Sequence, residues 1–523
     1  MLVNIFGARC YGIDALKVTV EVDITRGIGI HLVGLADVAV KESLLRTTTA
    51  LEALGYHIPG KRIIINLAPA DLRKVGSGYD LPIAIGIIAA AELHPVPLRE
   101  KFIIMGELGL DGSVRPIPGA LPFTEMAISE GLAGVILPAE SALEAVEFRD
   151  TSVYAVKTLD DVVKILSDAE DCSDLLVWNT QEYRRIQREK HHAPARENAV
   201  DFAEIIGQEG AKRGLEIAAS GGHNVILLGV PGVGKSSLAK ALAGILPPMT
   251  QEEAVLTSKI YSIAGKGSQR FGLIRERPFR APHYSSSLAA IIGGGGGENL
   301  VPGEISLAQG GVLFLDEMGQ IPRSVIEALR GPLEDRKVSI SRLKAKIEYP
   351  ASFMLVAASN PCPCGYWGEG DRCKCTPSQR QNYLSRLSGP IMDRIDIQLW
   401  LHSVESSKIV GSRKSEPSSE VAARVLKARI TQKLRFAGET INVNAEMSNR
   451  QIEKYCPLSP ECQETMRKMM ERMNLSMRAY FRIIKVARTI ADLEGSEDIR
   501  SAHLVEAASF RFLDRQDSGL GLP

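Results

Sequence analysis

Cysteine is scarce in this chain: eight in 523 residues, four of them crowded between Cys362 and Cys375. No uninterrupted apolar run approaches the ~20 residues a membrane helix needs, so no membrane partner is expected. Net charge is absent too, with 62 Lys and Arg against 62 Asp and Glu. Any nucleic-acid site must therefore be a local basic patch rather than a field of the whole chain. The opening "MLVNIFGARCYGIDALKV" lacks a basic flank, an apolar stretch and a small-residue cleavage site in series. No signal peptide is expected, which points to the cytoplasm. Thiols stay reduced there, and a cysteine cluster means metal more often than disulfide. Internal repeats and long low-complexity tracts are missing as well.

What is present is ordinary globular composition, 45% hydrophobic and 24% charged. At ~150 residues per domain the length suggests about three. Residues 1–170 alternate β-type runs such as "LKVTVEVDI" and "RIIINLAP" with amphipathic helical runs, which predicts an α/β or α+β domain. Residues 171–197 include "TQEYRRIQREKHHAPAREN", charged and poor in large aliphatics, and read as a linker with one solvated helix. A second α/β block spans 198–403, a loop 404–420, and 421–523 is helical in pattern. The whole reads as a multidomain α/β protein.

"NVILLGVPGVGKSSLAKALAGIL" is an apolar strand, a glycine loop and a helix. Gly229, Val230, Pro231, Gly232, Val233, Gly234, Lys235 and Ser236 fit G-x-x-x-x-G-K-[ST], with Ser237 following. Such glycines let backbone N–H groups cradle phosphates at a helix N-terminus, whose dipole favours an anion. Lys235 would reach the β/γ-phosphates of ATP, and the Ser236 hydroxyl would ligate Mg²⁺. "GGVLFLDEMGQI" is a buried strand delivering Asp316 to the Mg²⁺ shell and Glu317 to the attacking water. A third strand, "SFMLVAASN", ends in Asn360, placed to sense the γ-phosphate.

Taken together, "FAEIIGQEGAKRGLEIAASGGHNVILLGVPGVGKS", "PGEISLAQGGVLFLDEM", "FMLVAASNPCPCGYWG" and "SGPIMDRIDI" resemble the magnesium-chelatase-like AAA+ proteins of the YifB/ComM family. The resemblance covers nearly the whole chain. It implies a central AAA+ phosphate-loop core, a C-terminal helical lid and a ring, a homo-hexamer, of ATPase subunits. It also implies a DNA branch-migration helicase of natural transformation, with DNA and recombination proteins as partners. "MDRID" matches the family's "LDRID", making Arg394 the finger that completes a neighbour's site. "LSMRAYFRIIKVARTIADLEG" matches the lid helix, with Arg478 the sensor reaching the γ-phosphate in cis and Arg482 the second choice. Ile206, Gly207 and Gln208 are expected to line the adenine pocket. The 81 residues from Lys235 to Asp316 leave room for the clade's extra loop. "EDRKVSISRLKAKIEYPAS" alternates as a hairpin, with Arg342, Lys344 and Lys346 expected on one side as DNA contacts, or as a merely solvated edge.

Residues 1–170 are similar to the proteolytic domain of Lon-type proteases, whose dyad pairs a serine nucleophile with a lysine. Here Gly78 falls at the nucleophile and Leu121 at the lysine, with Ser77 one residue away. A Lon-like fold without peptidase chemistry is expected. Cys362, Cys364, Cys373 and Cys375 can form a closed structural Zn²⁺ site. A reduced loop and a redox-switched disulfide are the competing readings. Two further functions share the AAA+ core: the motor subunit of a magnesium chelatase, and an ATP-dependent protease or unfoldase.

Overall fold

The computed structural model describes residues 2–35, 37–192, 200–267, 272–295, 300–342, 345–387, 391–403 and 415–514. The N-terminal unit is built on a mixed seven-stranded sheet. Its strands are β1 (Val3–Tyr11), β2 (Asp14–Thr25), β3 (Gly29–Val33), β4 (Arg62–Ala68), β5 (Phe102–Ile104), β6 (Gly134–Pro138) and β7 (Ser152–Val156), in the order β3-β4-β2-β1-β5-β6-β7. β1, β2 and β4 pair antiparallel, and the remaining pairs are parallel. Helices Asp80–Ala90 and Ala120–Ser129 pack against it, and helix Val38–Ala53 packs on Asp80–Ala90. The core reaches beyond the expected boundary at 170: Val177 is fully buried in it, and Trp178 and Tyr183 pack against it. The expected linker is thus anchored at its start, and its helix is Gln181–His192. The cause is a run of four apolar residues, Leu175–Trp178, inside a polar stretch.

At the Lon-like cleft the structure places Gly78 against Met105, where a Cβ would stand 3.0 Å from the Met105 methyl. Ser77 donates its hydroxyl to Glu107, and Leu121 is buried with its N–H directed at Ser262. No lysine stands at Leu121.

The central unit has a wholly parallel five-stranded sheet: β8 (Val225–Gly229), β9 (Phe279–Arg280), β10 (Val312–Leu315), β13 (Met354–Ser359) and β14 (Ile397–Leu401), ordered β9-β10-β13-β8-β14. Between β10 and β13 the hairpin β11 (Lys337–Arg342) and β12 (Ala345–Pro350) pairs antiparallel. β8, β10 and β13 are buried along their length, as parallel strands covered on both faces must be. Helix Ser418–Arg435 opens the C-terminal helical unit, beginning inside the expected loop. Helix Met477–Glu494 is its central member.

Helix Gln251–Ile263 of the central unit is bonded to the N-terminal unit. Lys259 Nζ reaches Asp14 at 2.7 Å and Glu125 at 2.6 Å. Gly119 N–H donates to Ser262 O (3.1 Å), and Gly272 N–H to Leu143 O (3.1 Å).

Candidate nucleotide site

Three strand ends converge at the carboxyl edge of the parallel sheet, where such sheets bind ligands. β8 ends at Gly229, and helix Lys235–Ile245 starts at Gly234, whose φ is 89°. Gly232 also has positive φ, 82°, so the loop reaches left-handed backbone that other residues adopt only under strain. Lys235 Nζ donates to Gly229 O (2.7 Å), Val230 O (3.1 Å) and Asn360 Oδ1 (3.0 Å). Burial lowers its pKa below the usual lysine range, and the carboxylates of Asp316 and Glu317 offset part of that. The Asn360 amide and the Lys235 ammonium, 125 residues apart, are therefore in contact.

The Ser236 hydroxyl lies 3.1 Å from Asp316 Oδ2, two oxygens of the kind a hard divalent cation takes. Asp316 Oδ1 accepts the N–H of Glu317 at 2.9 Å. Glu317 has φ of 50°, a left-handed conformation costing a non-glycine residue on the order of 1–2 kcal/mol. This donor set fits Mg²⁺·ATP. When bound, the ion neutralises phosphate charge. Gly229–Ser236 and Lys235 are the groups that would hold the phosphates, and Glu317 the one that would direct a water.

Arg394 stands elsewhere. Asn224 and Asp396 flank the amino-terminal starts of β8 and β14, and Asn224 Nδ2 donates to Arg394 O at 2.9 Å. Val225 pairs with Ile397 and Gly229 with Leu401, so five residues of strand separate Arg394 from its own phosphate loop. At about 3.3 Å per residue that is on the order of 15 Å. Its guanidinium pairs with Glu334.

Arg478 requires a correction. Expected on its own γ-phosphate, it pairs instead with Asp393, next to Arg394. Arg482 pairs with Asp396, two residues further on. Both lid arginines thus stand beside Arg394 at the amino-terminal edge of the sheet, away from their own phosphate loop. A buried network sets this placement: His223 bridges Asp396 (3.1 Å) and Thr489 (2.8 Å). Burial alone would raise the Asp396 pKa. Arg482 and His223 outweigh it and hold the carboxyl well below its usual range.

Ile206 is partly exposed, while Gly207 (φ 68°) and Gln208 (φ 62°) form a left-handed turn opening helix Glu209–Gly221. Beyond them lies a cavity of about 620 Å³. The hairpin also departs from expectation. Arg342 pairs with Ala345 and Ser341 with Lys346, so position 342 falls in line with buried Ile340 and Ile347. Lys346 is exposed on the opposite face, and Lys344 lies outside the described residues.

The cysteine loop follows Asn360. Cys362 Sγ lies 3.3 Å from Cys364 Sγ and 3.8 Å from Cys373 Sγ, and Cys364 lies 3.7 Å from Cys373. All four sulfurs, with that of Cys375, fall within 4.8 Å of one another, and none is in a disulfide. A tetrahedron with Zn–S of about 2.3 Å has sulfurs about 3.8 Å apart. The donor set fits zinc.

Sequence reading missed Glu334, His223 and the aromatic residues of the cavity, contributed by β14 and the segment after Ser509. Trp400 carried the one available signal, being one of only three tryptophans.

Comparison with known proteins gives a consistent result. The description "Magnesium chelatase, subunit ChlI" matches residues 201–409. "Subunit ChlI of Mg-chelatase" matches 20–141, and "Magnesium chelatase, subunit ChlI C-terminal" matches 415–511. The chain is 41% identical to the competence protein ComM of Haemophilus influenzae over 517 residues, covering 98% of each. It is 40% identical to the protein YifB of Escherichia coli, covering 96% of each. The archaeal Lon protease of Methanocaldococcus jannaschii is 25% identical over 178 residues, 32% of this chain and 27% of that protein.

Proposed function

The chain belongs to the YifB/ComM family of magnesium-chelatase-like AAA+ ATPases, and from that premise we propose a DNA motor. In this reading it is a cytoplasmic homo-hexameric ring whose ATP hydrolysis drives branch migration in homologous recombination and natural transformation. The observation that carries the ring is the placement of Arg394, Arg478 and Arg482 about a strand's length from their own phosphate loop. They have a catalytic use only toward a neighbouring subunit, whose transferring phosphoryl group they would stabilise. The DNA reading draws on the near full-length likeness to a competence protein. Exposed Lys346, on a hairpin beside the core, is the candidate phosphate-backbone contact.

The cysteine loop holds one structural Zn²⁺ in this proposal, supported by the sulfur spacing. It fixes the segment that follows Asn360. A chelatase motor remains the second reading, because all three family matches carry that description. One assay separates them: ATP turnover with and without single-stranded and four-way-branched DNA. The proposal expects stimulation, larger on branched DNA and diminished in Lys346→Ala. Turnover indifferent to every DNA structure would remove the motor reading and leave the chelatase one.

A further inference from the structure

Glu317 precedes the short turn Met318–Gln320, and its carbonyl accepts the Gln320 N–H at 2.7 Å. Gly319 lies inside that turn. A Cβ there would stand 2.7 Å from the Tyr383 hydroxyl and 3.0 Å from its Cζ, so the turn is seated on the tip of the tyrosine ring. Only glycine allows so close an approach. The same hydroxyl reaches the neighbouring strand end. Ser359, the buried last residue of β13, donates its hydroxyl to Asn360 O at 3.2 Å. A hydroxyl has one proton to give, so Tyr383 is the donor in its 3.3 Å contact with the Ser359 hydroxyl. One side chain thus touches both the turn that carries Glu317 and the strand end that carries Asn360. Glu317 has left-handed backbone, and such strain persists only where the surroundings hold it.

Tyr383 is placed by helix Pro377–Leu387, which opens directly after the cysteine loop. Thr376, the residue next to Cys375, caps it. Gln379 N–H donates to Thr376 Oγ1 (3.3 Å), and Thr376 N–H to Gln379 Oε1 (3.0 Å). One turn before Tyr383, the Arg380 guanidinium lies 5.6 Å from the ring centre of Trp367, a buried residue of the cysteine loop. Tyr383 and Leu384 then pack against the apolar core that holds Leu315 and Ala357. The helix is therefore tied to the cysteine loop at its start and to the ends of β10 and β13 at its middle.

We propose that Tyr383 is a positioning residue for ATP hydrolysis, which sets Glu317 through the turn at Gly319, and that the cysteine loop sets Tyr383 through this helix. The proposal rests on the nucleotide-site reading and goes beyond it by joining the four-cysteine loop to turnover. Its effect falls on rate rather than on binding. A group displaced from its reacting geometry costs turnover even where the substrate is still held.

The test uses the full-length protein, steady-state and single-turnover ATP hydrolysis, and elemental analysis for zinc. Tyr383→Phe should lower kcat about tenfold, leave KM for ATP within about twofold and keep the zinc content of the wild type. Ser359→Ala should do the same. Gly319→Ala should lower kcat when Tyr383 is present and change little in Tyr383→Leu, where the ring it would meet is gone. In the Glu317→Gln background Tyr383→Phe should cost no further rate, because the group it positions is absent. Cys373→Ser should lose zinc and lower kcat, and adding Tyr383→Phe should lower kcat no further. An unchanged kcat in Tyr383→Phe, or an equal loss in the Glu317→Gln background, would overturn the positioning role. Losses from Cys373→Ser and Tyr383→Phe that multiply would overturn the link to the cysteine loop. A wild type that hydrolyses no ATP would instead overturn the nucleotide-site reading itself.

Discussion

Replacing Glu144 by glutamine should stabilise this protein at pH 8 and change little at pH 5. Glu144 sits in the N-terminal unit with 3% of its surface exposed, against Ser262 and Gly267 of the central unit. A Cβ added at Gly267 would stand 2.4 Å from its carboxyl carbon, so the two segments are in direct contact there. Oε2 has no hydrogen-bond partner among the described residues. Burial therefore raises the pKa from 4.5 to about 7, and the Ser262 hydrogen bond offsets only part. The neighbouring Cys10 thiol is pushed up to about 12, by burial first and then by Glu144, so it stays neutral. Lys259, the nearby cation, is engaged by Asp14 and Glu125. The folded state holds the proton more tightly than the unfolded one. Its stabilising share is complete below 4.5, falls as pH rises through 7, and is gone above. The 2.5-unit difference, at 1.36 kcal/mol each, bounds the loss at about 3 kcal/mol. Glutamine keeps the shape and never ionises. Thermal unfolding at pH 5 and pH 8 measures the difference, and about 2–4 °C per kcal/mol for a unit of this size gives roughly 6–12 °C at pH 8. Equal effects of Glu144→Gln at both pH values would refute the reasoning.

Three further outcomes are expected. Lys235→Ala should weaken ATP binding, whereas Glu317→Gln should keep binding and lose turnover by about 10²-fold or more, as nucleotide titration and single-turnover assays would show. Arg394→Ala subunits mixed with Glu317→Gln subunits should recover some ATPase activity, since some interfaces then receive one intact set of groups. No recovery at any ratio, in rings of confirmed size, would exclude action in trans. Zinc should co-purify at one ion per chain and be lost in Cys373→Ser with the ATP pocket intact. Elemental analysis of protein purified without chelator that finds no zinc would end that proposal.

The sequence made local chemistry legible and long-range placement much less so. Gly229–Ser236 could be read because strand, loop and helix are contiguous, so the motif carries its own geometry. Asp316 and Asn360 could be read as ends of apolar strands, which parallel sheets bring to one edge. The hairpin was read with the wrong parity. Arg342 and Lys346 are both even-numbered, but pairing 342 with 345 reverses the alternation across the turn, so even positions change face. Val177 is not marked as core by its neighbours, because the four-residue apolar run Leu175–Trp178 in a polar stretch is too short to show a period. Trp400, Phe510 and Phe512 meet across more than a hundred residues, and nothing in their local sequence marks a shared cavity.

Arg478 shows where such reading stops for a physical reason. A lid arginine can serve its own site or the next, and the choice depends on how the lid is rotated on the core. Here that rotation is fixed by buried polar groups drawn from four distant segments. His223 follows helix Glu209–Gly221, Asp396 precedes β14, and Asn444 links Thr489 (3.0 Å) to Asp492 (2.8 Å). Arg435 and Arg488 close on the same Asp492 carboxylate. A network this buried is costly unless every member is satisfied, so it tolerates one docking of lid on core and opposes others. That docking holds Arg478 and Arg482 on the segment that carries Arg394. Arg394, Arg478 and Arg482 are therefore held as one cluster, and in the proposed ring all three would meet the neighbouring subunit together.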